Sequence, residues 1–389
     1  MDKKEYIRIV VAGDLNPSEG NMELFEKGDS QRLFGREVCQ LFEKADYSIV
    51  NLEGPLTDSS IPQLKDGPHI KAPISSFPGI RNLGVKCVAL ANNHITDYSQ
   101  RGCIDTLGVL DSSGISHVGL VMGGAKNNAA SISLKLQGKH ICIYNVSETF
   151  FCKPKSGEYG ANVYDEWLVC NQLIEMKKTH DFIIVIYHGG AEYLQYPTPQ
   201  TRERFHRMAD CGANFIVSQH THCIGCEEWY NGSYLLHGQG NFLFARQKMN
   251  PHLTKQGLVT ELLIDVNDKG FEIKNHVVNI VNHVIKYDSR QDLTKFVERG
   301  KRIDDKEFII SEYQKLKVEE IMQKYLLSAK GDYPLRRITN RLFPKFKKNL
   351  GKSYTEQQIL SNLRLLQDER RREDMYYVWH YLLDNINER

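Results

Sequence analysis

Five short apolar runs in the first 222 residues each end in a side chain able to bind a metal, and this constrains the chain most. Ile7–Ala12 leads into Gly13-Asp14, and Tyr47–Val50 into Asn51-Leu52-Glu53-Gly54. Cys87–Leu90 leads into Ala91-Asn92-Asn93-His94, with Asp97 three residues on. Phe182–Tyr187 runs into His188-Gly189-Gly190, and Asn214–Ser218 into Gln219-His220-Thr221-His222. Runs of this length and β-branched content read as buried strands. In α/β sheets the loops after the strands converge on one crevice, where ligands bind. Taken singly, each element has an ordinary explanation. A Gly-Asp marks a turn, Glu53 can cap the next segment, and one histidine is commonly structural. The ordered set of five at one sheet edge is hard to assemble by accident and predicts a metal site.

The remaining pattern is that of an α/β fold. Ile141–Asn145 reads as a further strand, and Gln31–Lys44, Ser99–Ser112, Asp165–Lys178 and Pro199–Cys211 read as helices. Ser233–His237, Gly257–Val266 and Phe271–Asn279 add strands, the last two joined by a short Asn-Asp-Lys-Gly turn. That hairpin makes the sheets mixed rather than purely parallel. Beyond about Tyr287 the strand signal stops and residues 290–389 read as helical. A catalytic domain over 1–286 and a helical, basic extension over 287–389 are therefore expected. Residues 290–389 hold 22 Lys and Arg against 16 Asp and Glu, and the most basic stretch is Lys330–Lys352. Such a stretch is ordinarily a solvated helical face. The sharper alternative is a contact for anionic lipid, a polyanion or a synthase partner.

Composition removes several classes. The longest clean apolar stretch is Phe182–Tyr187, far short of the roughly 20 residues needed to cross a bilayer. A net charge of +2 gives no reason to expect nucleic acid as a partner. Nine cysteines without paired spacing point to a reducing compartment, and the lone Cys223/Cys226 CxxC lacks the second pair of a zinc site. The first strand pattern starts almost at once, and no signal peptide is expected. A cytoplasmic location is expected, possible peripheral contact with the inner membrane surface included. No GxxxxGK[ST], strand-linked GxGxxG or GxSxG is present.

Histidine mixed with carboxylate suits Mn, Zn or Fe, whereas Mg prefers an all-oxygen shell. A carboxylate flanked by imidazoles or amides on both sides can bridge two ions about 3.5–4 Å apart, a geometry suited to in-line displacement at phosphorus. The imidazoles of His220 and His222, two residues apart, can point at neighbouring ions.

Read in order, these segments resemble the CapA family of poly-γ-glutamate and capsule biosynthesis proteins, within the metallophosphatase superfamily. The matching pieces are Ala12-Gly13-Asp14, Asn51 to Thr57, Ala91 to Tyr98, His188 to Tyr193, His220-Thr221-His222 and Gly240 to Phe244. The resemblance covers roughly residues 6–245. It implies a sandwich of two mixed β-sheets flanked by helices and holding two divalent metal ions, with an all-α extension beyond. Carried over by position, it makes Asp14 a ligand of one ion, completed by His222, and Glu53 the bridge. Asn93, His188 and His220 would complete the second ion. His94 resembles the general acid, oriented by Asp97, while Glu192 and Asn241 lie beside the site. Asn16 stands where the wider superfamily has a histidine, and its coordination is left open. Gly189 replaces a common Trp, which should open the pocket on that side. The bridging position is Glu, one methylene longer than the usual Asp.

The function this implies is metal-dependent hydrolysis in capsule, exopolysaccharide or poly-γ-glutamate biosynthesis. The expected substrate is a phosphoester or pyrophosphate on a glycan, nucleotide or lipid carrier, or another polyanionic polymer. Two alternatives remain open: γ-glutamyl amide hydrolysis or transfer by the same metals, and a non-enzymatic accessory subunit that binds a polyanion or synthase.

Overall fold

A computed structural model describes residues 5–65, 67–125, 129–148, 152–244, 252–268, 270–321, 373–375 and 377–378. The strands run in chain order as β1 (Tyr6–Asn16), β2 (Tyr47–Leu52), β3 (Cys87–Ala89) and β4 (Ser116–Val118). Next come β5 (Leu120–Met122), β6 (Ser131–Leu136), β7 (Lys139–Ser147), β8 (Tyr159–Ala161) and β9 (Phe182–His188). β10 (Phe215–Gln219), β11 (Ile224–Tyr230), β12 (Ser233–Gln239) and β13 (Asn241–Phe244) follow. β14 (Gln256–Asp265), β15 (Phe271–Val281) and β16 (Val284–Tyr287) complete the set.

Two mixed sheets result. The first has the order β16-β15-β14-β1-β2-β3-β4, with β13 also pairing β1; the second has the order β11-β12-β10-β9-β7-β6. β1, β2, β3 and β4 run parallel to one another, and so do β7, β9, β10 and β12. The parallel runs carry the five segments singled out above, so their C-terminal ends lie at one edge of each sheet. The sheets share an apolar layer in which Ile7, Ile9, Val11, Ile49 and Leu262 pack with Ile143, Ile184, Ile186, Phe215 and Val217. Strands buried on both faces read as continuous apolar runs rather than alternating ones, which is why the sequence shows them.

Helices cover the outer faces. On the first sheet lie α1 (Met22–Lys27), α2 (Ser30–Phe34), α3 (Arg36–Lys44), α4 (Phe77–Asn82) and α5 (Ser99–Ser112), burying Phe25, Phe34, Phe42, Ile80 and Leu110. On the second lie α6 (Glu166–Lys177) and α7 (Pro199–Asp210), burying Leu173, Phe205 and Met208. The helix starts are encoded locally: Asp165 accepts Leu168 N–H, and Thr198 accepts Thr201 N–H with Pro199 at the first turn. The single helix expected over Gln31–Lys44 is instead α2 and α3. Gly35, at φ 79° and ψ 156°, breaks it after donating its N–H to Gln31 O.

The chain divides into two compact units. Residues to Gln63 and from His69 to Asp305 form one compact unit. Within it α8 (Thr294–Lys301) packs on β11, Phe296 joins the apolar layer between the sheets, and Arg299 donates to Gly225 O at 2.7 Å and Ile224 O at 3.1 Å. Leu64–Pro68 and Lys306–Arg389 form a second unit, which includes α9 (Lys306–Ile321). Its Tyr313 ring meets Tyr377 at 5.3 Å. The basic stretch Lys330–Lys352 lies outside the described residues, as does most of the expected helical extension. Among the described residues no helix is long and apolar enough to cross a membrane.

Candidate metal centre

The strand ends bring two groups of donors together, and one carboxylate belongs to both. Glu53, His188 and His220 place ligand atoms within 4.8 Å of one another, as do Asp14, Glu53 and His222, and all are buried. Asp14 sits on β1, whose backbone passes so close to β13 that a Cβ on Gly13 would overlap Gly240 O. Glu53 follows β2, His188 ends β9, and His220 and His222 follow β10.

His188 Nε2 lies 2.9 Å from Asn93 Oδ1 and 4.0 Å from Glu53 Oε1. His222 Nδ1 lies 3.5 Å from Asp14 Oδ2, and its Nε2 is 4.0 Å from Glu53 Oε1. His220 donates its backbone N–H to Asp14 Oδ2 at 3.1 Å, and its ring centre is 5.0 Å from that of His188. Both His220 (φ 86°) and His222 (φ 56°) adopt left-handed backbone, as does nearby Tyr193 (φ 65°). Such conformations cost about 1–3 kcal/mol each outside glycine and gather at functional sites.

Amides organise the cluster. Asn51 donates to Asp14 Oδ1 at 2.8 Å, and its amide nitrogen lies 3.3 Å from His188 Nδ1. Asn92 donates to Leu52 O at 2.7 Å and accepts from the N–H groups of Gly54 and His94. Asn241 Oδ1 is 2.8 Å from His222 Nδ1, while its amide is anchored on Thr254 O. Asn16 donates to Glu53 O at 2.8 Å, so its amide nitrogen fixes the backbone of the shared carboxylate. Asn51 and Asn92 are additions to the expected site residues. Both stand in the quoted segments, but an amide after a strand has no signature separating it from a turn residue.

His94 Nδ1 is 2.6 Å from Asp97 Oδ2, and its Nε2 is 3.7 Å from Glu53 Oε1. Asp97 is itself fixed by Ile70 N–H at 2.7 Å. Glu192, partly exposed, places Oε1 3.8 Å from His220 Nε2 at the rim. The opening expected at Gly189 is absent. Glu148 and the Tyr187 ring fill the space, and a Cβ on Gly189 would stand 2.5 Å from Glu148 Oε2.

Electrostatics match the donor types. Burial drives the Asp14 carboxyl above its ordinary value, opposed by His222, Asn51 and the His220 N–H. Burial, reinforced by His220, His222 and His94, holds His188 well below the usual imidazole value and therefore neutral. Neutral imidazole is the form that binds metals. Two carboxylates, three imidazoles and the Asn93 carbonyl oxygen thus fit borderline divalent ions at this place.

Residues 8–246 match the family model described as bacterial capsule synthesis protein PGA_cap. The chain is 28% identical to the PGA biosynthesis protein CapA of Bacillus subtilis (strain 168) over 53% of this chain and 55% of that one. It is 24% identical to the capsule biosynthesis protein CapA of Bacillus anthracis over 62% of this chain and 61% of that one. The matched parts thus span little more than half the length of these curated relatives. A solved hypothetical protein from Thermus thermophilus overlaps 69% of this chain and 98% of its own, at 15% identity and a TM-score of 0.46, too loose a likeness to carry an argument. With more than half of its length inside the family model, the chain belongs to the PGA_cap family of bacterial capsule synthesis proteins, within the metallophosphatase-like superfamily.

Proposed function

We propose that this protein is a hydrolase that uses two divalent ions, Mn, Zn or Fe, and acts on a phosphoester or pyrophosphate during capsule or poly-γ-glutamate synthesis. The observation that carries this reading is Glu53, shared by two buried donor groups and 3.7 Å from the imidazole of the His94–Asp97 pair. Asp14 and His222 would hold one ion with Glu53, and Asn93, His188 and His220 the other. Bound there, the ions would neutralise phosphoryl charge and acidify water.

The chain's own side chains supply the rest. The Asp97 carboxylate accepts a hydrogen bond from His94 Nδ1–H, which orients the ring and stabilises the imidazolium, the form that carries a second proton on Nε2. The opposite nitrogen, Nε2, faces Glu53 and is the atom placed to give a proton to a leaving oxygen. Asn241 orients the His222 ring, and Asn51 braces both Asp14 and His188. Glu192, on the rim beside His220, meets the substrate.

The test is a phosphatase screen on metal-loaded protein with His94→Ala in parallel. The expected outcome is phosphate release by the wild type and a loss of about 10²–10⁴-fold in the variant. Equal activity in both, or none in either, contradicts it. One alternative is cleavage of a γ-glutamyl amide by the same site, the polymer in question being suggested by a relative named a PGA biosynthesis protein. Release of glutamate or its oligomers, with no phosphate from any ester, would select that version. A polyanionic glycan or polymer substrate accords with the family, and the basic C-terminal residues would supply contact with a membrane surface or synthase. Loss of vesicle or complex binding on removing residues 306–389, with hydrolysis intact, is the expected result.

A further inference from the structure

A sixth apolar run also ends in a carboxylate, and it belongs to neither donor group. β7 closes at Ser147 and hands the chain to Glu148, which is buried. Glu148 Oε2 accepts the Gly190 N–H at 2.6 Å, and Oε1 lies 3.1 Å from Arg204 Nη1. Arg204, on α7, also donates to the Tyr187 hydroxyl at 3.2 Å, with its guanidinium 5.0 Å from the Tyr164 ring centre. The main chain closes the loop from the other side. Glu148 N–H donates to His188 O at 3.0 Å, and Ser147 Oγ to the same oxygen at 3.4 Å.

His188 is therefore gripped at the residue before it, at its own carbonyl and two residues after it. Gly189 is what allows this, since a Cβ there would stand 2.5 Å from Glu148 Oε2 and 2.6 Å from Glu148 Cβ. Gly190 turns the chain with a φ of 100° that favours glycine. A buried ion pair is a poor source of stability compared with apolar packing of the same shape. What this pair does supply is a fixed direction for one short turn of chain.

We propose that Glu148 and Arg204 are positioning residues that set the His188 ring for the ion shared by Glu53, His188 and His220. The inference rests on the reading of His188 as a ligand. Partners hydrogen-bonded directly to a ligand change metal affinity by about 10–100-fold when altered, and Glu148, which holds the main chain beside His188 rather than its ring, should act at the low end, about 10-fold.

Calorimetric titration of metal-free protein with Mn²⁺ tests this, comparing wild type, Glu148→Gln and Arg204→Lys. In wild type two ions should bind. In Glu148→Gln one of them should weaken about 10-fold while the other, held by Asp14 and His222, is unchanged. Arg204→Lys keeps the charge but not the reach to both Glu148 and Tyr187, and should give a smaller loss at the same ion. It carries the test alone if Glu148→Gln fails to fold. Wild-type affinity for both ions in the folded variants overturns the proposal. The nitrogen-15 signals of the His188 ring, recorded without metal, separate the two layers of the argument. Displaced His188 signals in the variants, with no ion bound even by wild type, would keep the positioning role and sink the ligand reading. Signals coincident with wild type would sink the positioning role itself.

Discussion

His220 and His222 are separated by one threonine, yet each joins a different donor group. Left-handed backbone at both residues makes this possible, because an extended strand would send the two side chains to one face in parallel. His220→Ala and His222→Ala should therefore each weaken a different ion. Titration should find one high-affinity site left in either variant, and loss of both ions from one substitution would contradict the division. Asn241→Ala removes the oxygen 2.8 Å from His222 Nδ1 and should cost the Asp14 and His222 ion about 10–100-fold in affinity. His94→Ala should leave both ions bound, since its ring completes neither donor group.

At the scale of the elements, close backbone contacts and buried charge networks hold the two sheets in order. A Cβ on Gly13 would overlap Gly240 O where β1 meets β13, so Gly13→Ala must push two strands apart next to Asp14. It should cost about 1–3 kcal/mol, read from urea denaturation. Farther from the site, Glu228 on β11 receives Arg202 and His206 from α7 and His237 from β12. Burial pushes its carboxyl up, but the hydrogen bonds from His237, Arg202 and His206 prevail and bring it down to about 2. A carboxyl depressed from its ordinary 4.5 stabilises the fold fully above that value and loses the contribution as pH falls toward 2. Between about pH 4.5 and pH 2 the wild type should thus lose more stability than Glu228→Gln. Parallel urea midpoints in the two proteins would argue against the network.

The strands buried on both faces are legible because they are unbroken apolar runs. β11 is not, since it sits at a sheet edge and carries Glu227 and Glu228 within it, and β13 is only four residues long. Glu148 follows the same rule as Asp14 and Glu53, a carboxylate after an apolar run. The pattern hides it because two polar residues, Asn145 and Ser147, already stand at that strand's end. Gly189 misleads for a related reason: a missing side chain says nothing about which distant residue fills the space.

At the scale of the whole molecule, every residue of the candidate centre lies in the compact unit that ends at Asp305. A chain of residues 1–305 should therefore fold and take up the same ions, with a thermal transition close to that of the full protein. A cut at 286 should be destructive by comparison, because it removes Phe296 from the apolar layer and Arg299 from the carbonyls of β11. Circular dichroism melts of the two truncations separate these outcomes.

The most direct test of the central claim is anomalous scattering from a crystal of Mn²⁺-loaded protein. The account predicts two peaks about 3.5–4 Å apart with the Glu53 carboxylate between them, one beside Asp14 and His222 and the other beside His188 and His220. A metal-saturated crystal with no peak at Glu53, or with ions bound only elsewhere, would contradict it.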